Sequence, residues 1–455
     1  AAAAVKERAL LLTTAAAARM LRRGVAAAAR RGGLRRRRSI STAEALALEA
    51  KYGARNYAPL PVVLSRGEGV YVWDVEGRRY LDCLSAYSAV NHGHCHPKLV
   101  AALTEQASRL TLTSRAFCND RLGQYEEFIC EYFGFQRVLP MNSGVEAVET
   151  AVKLVRRWAY DVKKVPANSA RVAFAEGNFW GRSVAAISSS TDPESYEGFG
   201  PFVPGFDVLP YDDLESLEKY LEARAGECAA FVVEPIQGEA GVVVPSDGYL
   251  RGASDLCRRF NVLFVADEIQ TGLGRTGKLL ACDYDDVQPD VLILGKALSG
   301  GLLPVSAVLA SDEVMLTVQP GQHGSTYGGN PLACAVATKA LALLEEEHMV
   351  SNAFRLGDIF RQRLHEDLAG LGFVAGVRGK GLLNAVVLRR SSDGDEQTAA
   401  TELCLRLKDN GLLAKPTHDT VIRFAPPLVI TEDQLHLACD VIRDTFLDYE
   451  DDGDL

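Results

Sequence analysis

At 455 residues, with 47% apolar and 24% charged side chains, the chain can bury a large core and divide into more than one domain, with the balance of a soluble globular protein. No apolar run approaches the ~18 residues of a membrane-spanning helix, which excludes an ordinary span. The ten cysteines contain no CxxC pair, which points to reduced thiols in a reducing compartment and away from a disulfide framework. Residues 1–39 hold ten Arg and one Lys against the single acid Glu7, so the remainder carries about −20 of a net charge of −10. Alanine, arginine and serine without acids is the composition of a mitochondrial or plastid transit peptide, with cleavage expected near Ser39–Thr42 and Met20 as an alternative start. A basic nucleic-acid arm is the other reading, but no aromatic residues interleave with the arginines, and the acidic body argues against nucleic acid as partner.

The body begins with a short amphipathic helix over 43–51, then an extended segment through Pro59 and Pro61, since each proline pushes its predecessor out of the helical region. Residues 62–82 alternate and break at Gly67, Gly69 and Gly77, predicting a small antiparallel meander with a tight turn at Asp74–Gly77. His92, His94, Cys95 and His96 invite a metal reading. Neighbouring positions cannot all face one ion, however, and no second ligand pair follows at zinc spacing, so a turn into a helix at Pro97 is expected and no metal is assigned.

Met141–Glu146 opens a helix predicted to run to about Val165, with Val148, Val152 and Val155 on one stripe. Asn142 and Ser143 before it, with Gly144 in its first turn, form either an ordinary cap or a phosphate site at a positive dipole end. A strand at 171–175 leads into the glycine-bracketed aromatics Phe179 and Trp180, where a ring could lie flat on a planar ligand. A buried strand over 228–234 is followed by a loop that carries Glu239, and then by a helix over 248–260.

Two short β-branched runs, 262–266 and 291–294, read as parallel strands buried on both faces. Asp267 and Lys296 then emerge at one carboxyl edge, where open α/β sheets bind ligands. A polar glycine loop at 323–331 and a long helix over 332–348 follow. Beyond about 350 come a helix, a β-rich stretch (373–388), a helix over 398–410 and a strand at 421–424, the order of a smaller α+β domain. Residues 165–169 and 388–398 read as variable surface loops, and 449–455 as a frayed acidic tail.

Three chemistries compete for 262–301. Gly272–Gly277 matches GxGxxG, and Gly272–Lys278 matches a Walker A loop except for its final hydroxyl, replaced by Leu279. The acids precede these glycines and the next strand ends in lysine, so neither a dinucleotide fingerprint nor a Mg²⁺-holding P-loop is complete. The third reading joins Asp267 to Lys296. Desolvation makes a strand-end lysine a competent amine nucleophile for Schiff-base chemistry, and a nearby carboxylate can keep a pyridine nitrogen protonated. A plain Asp–Lys ion pair is the alternative.

The motifs GHCHPKL, MNSGVEAVETAVKL, FWGR, VEPIQGEAG, VADEIQTGLGRTG, ILGKALSGG and HGSTYGGNPL resemble those of class III (subgroup II) pyridoxal-phosphate aminotransferases of fold type I, over about residues 50–440. NYAPLPVVLSRGEG, LSAYSAVNHGHCHP, FWGRSVAAISSSTDP, LAKPT and IRFAPPL are similar to the ornithine aminotransferase branch, mitochondrial in most eukaryotes. The resemblance implies an α/β fold: a large pyridoxal-phosphate domain over 96–335 built on a mostly parallel sheet, and a smaller α+β domain assembled from 40–95 and 336–455, after a transit peptide at 1–39. It also implies a homodimer, or an oligomer built from dimers, with the active sites at the subunit interface.

For the site, the resemblance implies that Lys296 bonds pyridoxal 5'-phosphate and shuttles the proton, that Asp267 pairs with the ring nitrogen, that Gln270 contacts the phenolic oxygen and that Phe179 stacks on the ring. Ser143, Gly144 and Val145 would cradle the phosphate, with Ser325 and Thr326 reaching the phosphate of the other subunit. For the substrates ornithine and 2-oxoglutarate, Arg182 would fork the far carboxylate of either. Tyr57 would meet ornithine's α-amino group, Tyr87 would line the pocket, and Arg423 would receive the α-carboxylate of 2-oxoglutarate. Glu239 would mask Arg423 while ornithine is bound. N-acetylornithine and 4-aminobutyrate aminotransferases share the cofactor residues and are the rival readings; a nucleotide-binding protein using 272–278 is the rival of a different class.

Overall fold

The computed structural model describes residues 40–389 and 399–452. The expected transit peptide, residues 390–398 of the expected loop at 388–398, and residues 453–455 of the expected tail lie outside them. Two compact units are distinguished. One holds the described residues up to Leu64 together with Asp74–Gly77, and the other holds Ser65–Trp73 and the chain from Arg78 onward.

In the first unit, helix α1 (Thr42–Tyr52) starts at a capping box: Ser41 accepts from the Glu44 N–H, and the Glu44 carboxylate accepts from the Ser41 N–H at 3.0 Å. The turn at Asp74–Gly77 is closed by the Gly77 N–H on the Asp74 carbonyl at 3.1 Å, with Gly77 at φ 89°, where a side chain would be strained.

The chain contributes strands β1 (Leu64–Glu68), β2 (Tyr71–Asp74) and β3 (Arg79–Asp82) to the predicted meander. Helix α2 (Pro97–Ala107) starts at its proline, followed by α3 (Leu122–Phe133), β4 (Arg137–Met141), α4 (Gly144–Asp161), β5 (Arg171–Ala175) and β6 (Phe206–Leu209). Then come α5 (Leu214–Arg224), β7 (Cys228–Val233), α6 (Tyr249–Arg259), β8 (Leu263–Asp267), β9 (Val291–Leu294) and β10 (Ser306–Ala310). Helices α7 (Pro331–Glu346) and α8 (Met349–Asp367) lead to β11 (Val374–Lys380), β12 (Leu383–Leu388), α9 (Ala399–Asp409), β13 (Leu412–Leu413), β14 (Lys415–Thr417), β15 (Val421–Phe424) and α10 (Glu432–Asp451).

Seven strands form the sheet that carries the chemistry, in the order β4-β10-β9-β8-β7-β5-β6. From β9 to β6 every pairing is parallel, and β10 alone runs antiparallel to both of its neighbours. Alternation along the strands divides the core. Val172, Phe174, Val232, Val265 and Ile293 face α4, whereas Ala173, Phe231, Val233 and Phe264 face Leu217 and Leu221 of α5 and Leu250, Ala253 and Cys257 of α6. Every residue of β7, β8 and β9 is buried, which is why these segments read as unbroken apolar runs. A second sheet, β11-β12-β15-β14, pairs Ala385 of β12 with Arg423 of β15, and a third, β1-β2-β3-β13, pairs Leu81 with Leu412.

Two element ends differ from expectation. Helix α4 stops at Asp161, short of Val165: Lys164 adopts φ 66°, and Pro166 denies Val165 a helical conformation. The acidic tail is helical as far as Asp451, because Tyr449 continues the buried stripe Leu435, Ala438, Cys439, Ile442 and Phe446 of α10 and anchors the last turn.

Candidate active site

Strands β8 and β9 run parallel with Asp267 opposite Ile293, so Asp267 and Lys296, three residues past Ile293, leave the sheet at one edge. The Asp267 carboxylate is 5% exposed and accepts the Ile269 N–H at 3.1 Å. Burial pushes its pKa up to about 6, against the opposing pull of that bond and of the Lys296 charge. Lys296 opens a short 3₁₀ turn at φ 41°, a left-handed conformation that side-chain-bearing residues adopt at a cost. Burial lowers its pKa below the ordinary lysine value, opposed by the charges of Glu239, Asp267 and Glu234. The strand-end amine is thus biased toward the neutral, nucleophilic form that the sequence reading anticipates.

The start of α4 stands beside this edge. The hydroxyl of Ser143 accepts the Glu146 N–H at 3.3 Å and donates to the Glu146 carboxylate at 2.9 Å, while Ser306 donates to the Ser143 carbonyl at 2.8 Å and ties the cap to β10. A Cβ on Gly144 would stand 3.1 Å from Ile269, two residues past Asp267, so the turn approaches the strand end closely. A Cβ on Gly181 would stand 2.6 Å from Val145, which brings the Phe179 loop against the same first turn. The first-turn N–H groups of Gly144 and Val145 have no intrahelical acceptor, and with the helix dipole they make an anion cradle. Because Ser143 caps whether or not an anion is bound, Ser143→Ala is expected to cost about 1 kcal/mol in denaturant unfolding of the cofactor-free protein. Ser325 accepts from Asn142, the neighbour of Ser143, at 2.9 Å and from the Gly328 N–H at 3.0 Å, and Thr326 is exposed.

Two loops are clamped together by a residue the sequence reading left without a role. Glu234 accepts the Phe179 N–H at 3.0 Å and the Gly238 N–H at 3.2 Å, and burial, with the Asp267 charge, raises its pKa to about 8. Gln237 donates to the Glu176 carbonyl at 2.6 Å across the same two loops. The legible signal was a carboxylate ending a wholly apolar strand. Arg182, exposed, lies with its guanidinium 5.6 Å from the Phe179 ring centroid, and Gln270 packs on Gly238, where any Cβ would fall within 2.5 Å of its amide.

Glu239 and Arg423 form a bidentate pair, both bonds at 3.1 Å, with the arginine side chain 4% exposed. Burial raises the Glu239 pKa, but the Arg423 charge and its fork outweigh it, so the carboxylate is held below its ordinary value. The Arg423 guanidinium lies 4.7 Å from the ring centroid of Tyr87. Tyr87 itself sits in a left-handed turn: Ser85, Ala86, Tyr87 and Ser88 have φ of 50°, 46°, 59° and 69°. Each such residue costs about 1–2 kcal/mol relative to a right-handed conformation, so the turn is held by its surroundings. Tyr57 belongs to the other compact unit and is 85% exposed.

The glycine loop after β8 is a junction. Arg275 is fully buried and donates to Asn91 Oδ1 at 2.6 Å and to the carbonyls of Leu382 and Pro426 at 2.9 and 2.7 Å. Cβ atoms on Gly274 and Gly277 would meet Leu428 at 3.1 Å and the Phe354 backbone at 2.7 Å. No phosphate could enter, which excludes the rival nucleotide reading: the loop packs on the C-terminal segment. The three histidines diverge, His92 to the Ala340 carbonyl (2.8 Å), His94 to Asp82 (2.7 Å) and His96 to Glu347 (3.0 Å). Among the described residues no group of three His, Cys, Asp or Glu is placed to hold a metal, and no helix is long and apolar enough to cross a membrane.

The sequence profile of the family Aminotransferase class-III matches residues 52–446. The chain belongs to the class III aminotransferases. Within that family it is 62% identical to the mitochondrial ornithine aminotransferase of Drosophila melanogaster over 88% of this chain and 91% of that protein. The crystal structure of the ornithine aminotransferase of Toxoplasma gondii ME49 superposes with a TM-score of 0.88 at 49% identity, covering 93% of this chain and 98% of that one. An acetylornithine aminotransferase structure from Elizabethkingia anophelis reaches a TM-score of 0.82 at 54% identity, over 90% of this chain and all of that one. This class III aminotransferase therefore has the fold-type-I α/β architecture, and its chemistry is pyridoxal-phosphate-dependent amino transfer.

Proposed function

We propose that this aminotransferase moves the δ-amino group of L-ornithine to 2-oxoglutarate, giving glutamate and glutamate 5-semialdehyde, which cyclises to a pyrroline. The observation that carries the reading is the Glu239–Arg423 pair. An enzyme that takes a remote amine in one half-reaction and an α-keto acid in the other needs an α-carboxylate site that can be switched off. A free arginine there would bind ornithine by its α-carboxylate and present the wrong amine. The fork neutralises Arg423. The Arg423 Nε, buried and without a partner among the described residues, is a donor kept for a carboxylate once Glu239 moves away. The relatives named above supply the choice of ornithine as donor.

The donor set fits pyridoxal phosphate. The carboxylate of Asp267, buried and raised in pKa, suits a protonated ring nitrogen, which would restore its charge; the free N–H groups at Gly144 and Val145, together with Ser143, suit a phosphate. When bound, the cofactor supplies an electron sink for the carbon that loses its proton. Lys296 Nζ then carries that proton away from the substrate carbon and returns it, a task for which a depressed amine pKa is suited. With the cofactor bound, Phe179 would cover its ring and Gln270 would contact its phenolic oxygen, while Arg182 would bind the far carboxylate of either substrate. Tyr87 lines the substrate end. Ser325 and Thr326 complete the phosphate site of a second subunit, so the working unit is a homodimer. Residues 96–335 form the catalytic domain, which holds Asp267 and Lys296. The mitochondrial names of the animal relatives support a mitochondrial matrix location, with 1–39 as its targeting segment.

Purified enzyme given 2-oxoglutarate should form glutamate from ornithine and from it alone yield a trappable pyrroline. N-acetylornithine, the donor that the Elizabethkingia relative suggests, has a blocked α-amine that cannot close the ring. Glutamate formed with N-acetylornithine and not with ornithine would overturn the proposal.

A further inference from the structure

We infer that Asp82 is a positioning residue for substrate selection: it holds the left-handed turn Ser85–Ser88 that seats Tyr87 against Arg423. Asp82 ends β3, is 6% exposed, and one carboxylate oxygen accepts the N–H groups of Leu84 at 2.8 Å and Ser85 at 3.0 Å. These are the two residues that lead into the turn. Its other oxygen bonds His94 Nε2 at 2.7 Å, and the His94 ring is pressed against Gly67, where a Cβ would fall within 2.8 Å of it. The histidine that sequence reading weighs as a metal ligand thus aims the carboxylate, and the carboxylate aims the turn.

The same segment is bonded directly to the strand of Arg423. Cys83, next to Asp82, accepts the Ala425 N–H at 2.6 Å and donates to the Leu413 carbonyl at 2.8 Å. Tyr87 and Arg423 are therefore carried by two backbones bonded to each other, and the conformation of residues 85–88 helps set how the ring meets the guanidinium. Four successive left-handed residues that are not glycine have no intrinsic preference for that conformation. The two N–H bonds to Asp82 fix its entry, the Tyr87 N–H donates to the Leu84 carbonyl at 3.0 Å, and the return leg is closed by the Ala89 and Val90 N–H groups on the Ser85 carbonyl at 2.9 and 3.0 Å. If Asp82 is lost, Tyr87 leaves the guanidinium face, and the arginine that receives an α-carboxylate loses its cover. Arg182, proposed to fork the far carboxylate of either substrate, is untouched, so the loss falls harder on the substrate that also uses Arg423. The inference rests on the proposed role of Arg423.

The test is a pair of half-reactions on holoenzyme, followed by the cofactor's absorbance: glutamate, which engages Arg423, and ornithine, which does not. Asp82→Ala should raise the apparent dissociation constant for glutamate about tenfold and that for ornithine by distinctly less, since only glutamate engages Arg423, and Asp82→Asn, whose amide oxygen accepts the same two N–H groups, should restore the glutamate value. Where Asp82→Ala fails to fold, His94→Phe keeps a ring against Gly67, deletes Nε2 and should shift the glutamate constant the same way, about threefold. Equal shifts for both amines, no shift in either variant, or a loss of melting temperature alone would overturn the inference. Should wild-type enzyme ignore ornithine, the functional reading falls, and the glutamate arm with its Asp82→Asn rescue still decides the role of Asp82.

Discussion

Lys296→Ala should lower amino transfer by at least about 10³-fold, the scale of losing a positioned acid–base group together with a nucleophile. Both roles fall on one amine, at the only point where the edge of β8 and β9 offers one beside Asp267 among the described residues. Nothing nearby among the described residues can substitute as the nucleophile: Glu234 and Asp267 are carboxyl groups, which form no Schiff base, and Arg423 is engaged in its fork with Glu239. Stability should move the other way. Burial disfavours the Lys296 charge, and the residue sits at φ 41°, so removing the amine relieves a desolvation cost while alanine keeps the strained backbone. A melting temperature at or above wild type, with turnover of both half-reactions lost, is the expected pair of results. Residual turnover within tenfold of wild type would remove Lys296 from the chemistry.

The residues that do this work were legible for a physical reason. A strand buried on both faces tolerates no charge, so Asp267 and Lys296 stand out wherever an apolar run ends, and the parallel pairing of β8 and β9 turns two sequence positions into one place. The Ser143 cap was legible because a capping box is local: its two partners are three residues apart. Long-range bonds left no such trace. Glu234 looked like a strand end until its carboxylate met Phe179 and Gly238; Arg275 looked like part of a phosphate loop until its donors met Asn91, Leu382 and Pro426. The left-handed turn at 85–88 is invisible in composition, because no glycine or asparagine stands there and its conformation is set by Asp82 and the segment behind it. The end of α10 was misread because acid content hides a stripe that a single aromatic, Tyr449, extends by a turn.

Glu239→Ala should convert selectivity for ornithine into selectivity for α-amino acids. In the resting pair the carboxylate holds two bonds to a guanidinium that is almost wholly buried, and a charged hydrogen-bond pair of this kind is worth about 1.5–3 kcal/mol. An incoming α-carboxylate must displace Glu239 before it can use Arg423, so that energy is subtracted from the binding of every α-amino donor. An ω-amine donor that leaves the pair intact bears none of it. Without the carboxylate, Arg423 becomes a buried cation with an unpartnered Nε and a strong preference for any carboxylate supplied. The catalytic efficiency with an α-amino donor such as glutamate should rise roughly 10- to 100-fold relative to ornithine, which is 1.5–3 kcal/mol expressed as a ratio. Ornithine should itself begin to lose its α-amine, detected as an α-keto acid that forms no pyrroline of the δ-transfer type. Glu239→Gln separates charge from shape: its amide keeps one acceptor but not the neutralising charge, so its ratio should fall between the two. If the ratio of δ to α transfer is the same in all three proteins, the pair is structural and the choice of amine is made elsewhere in the pocket.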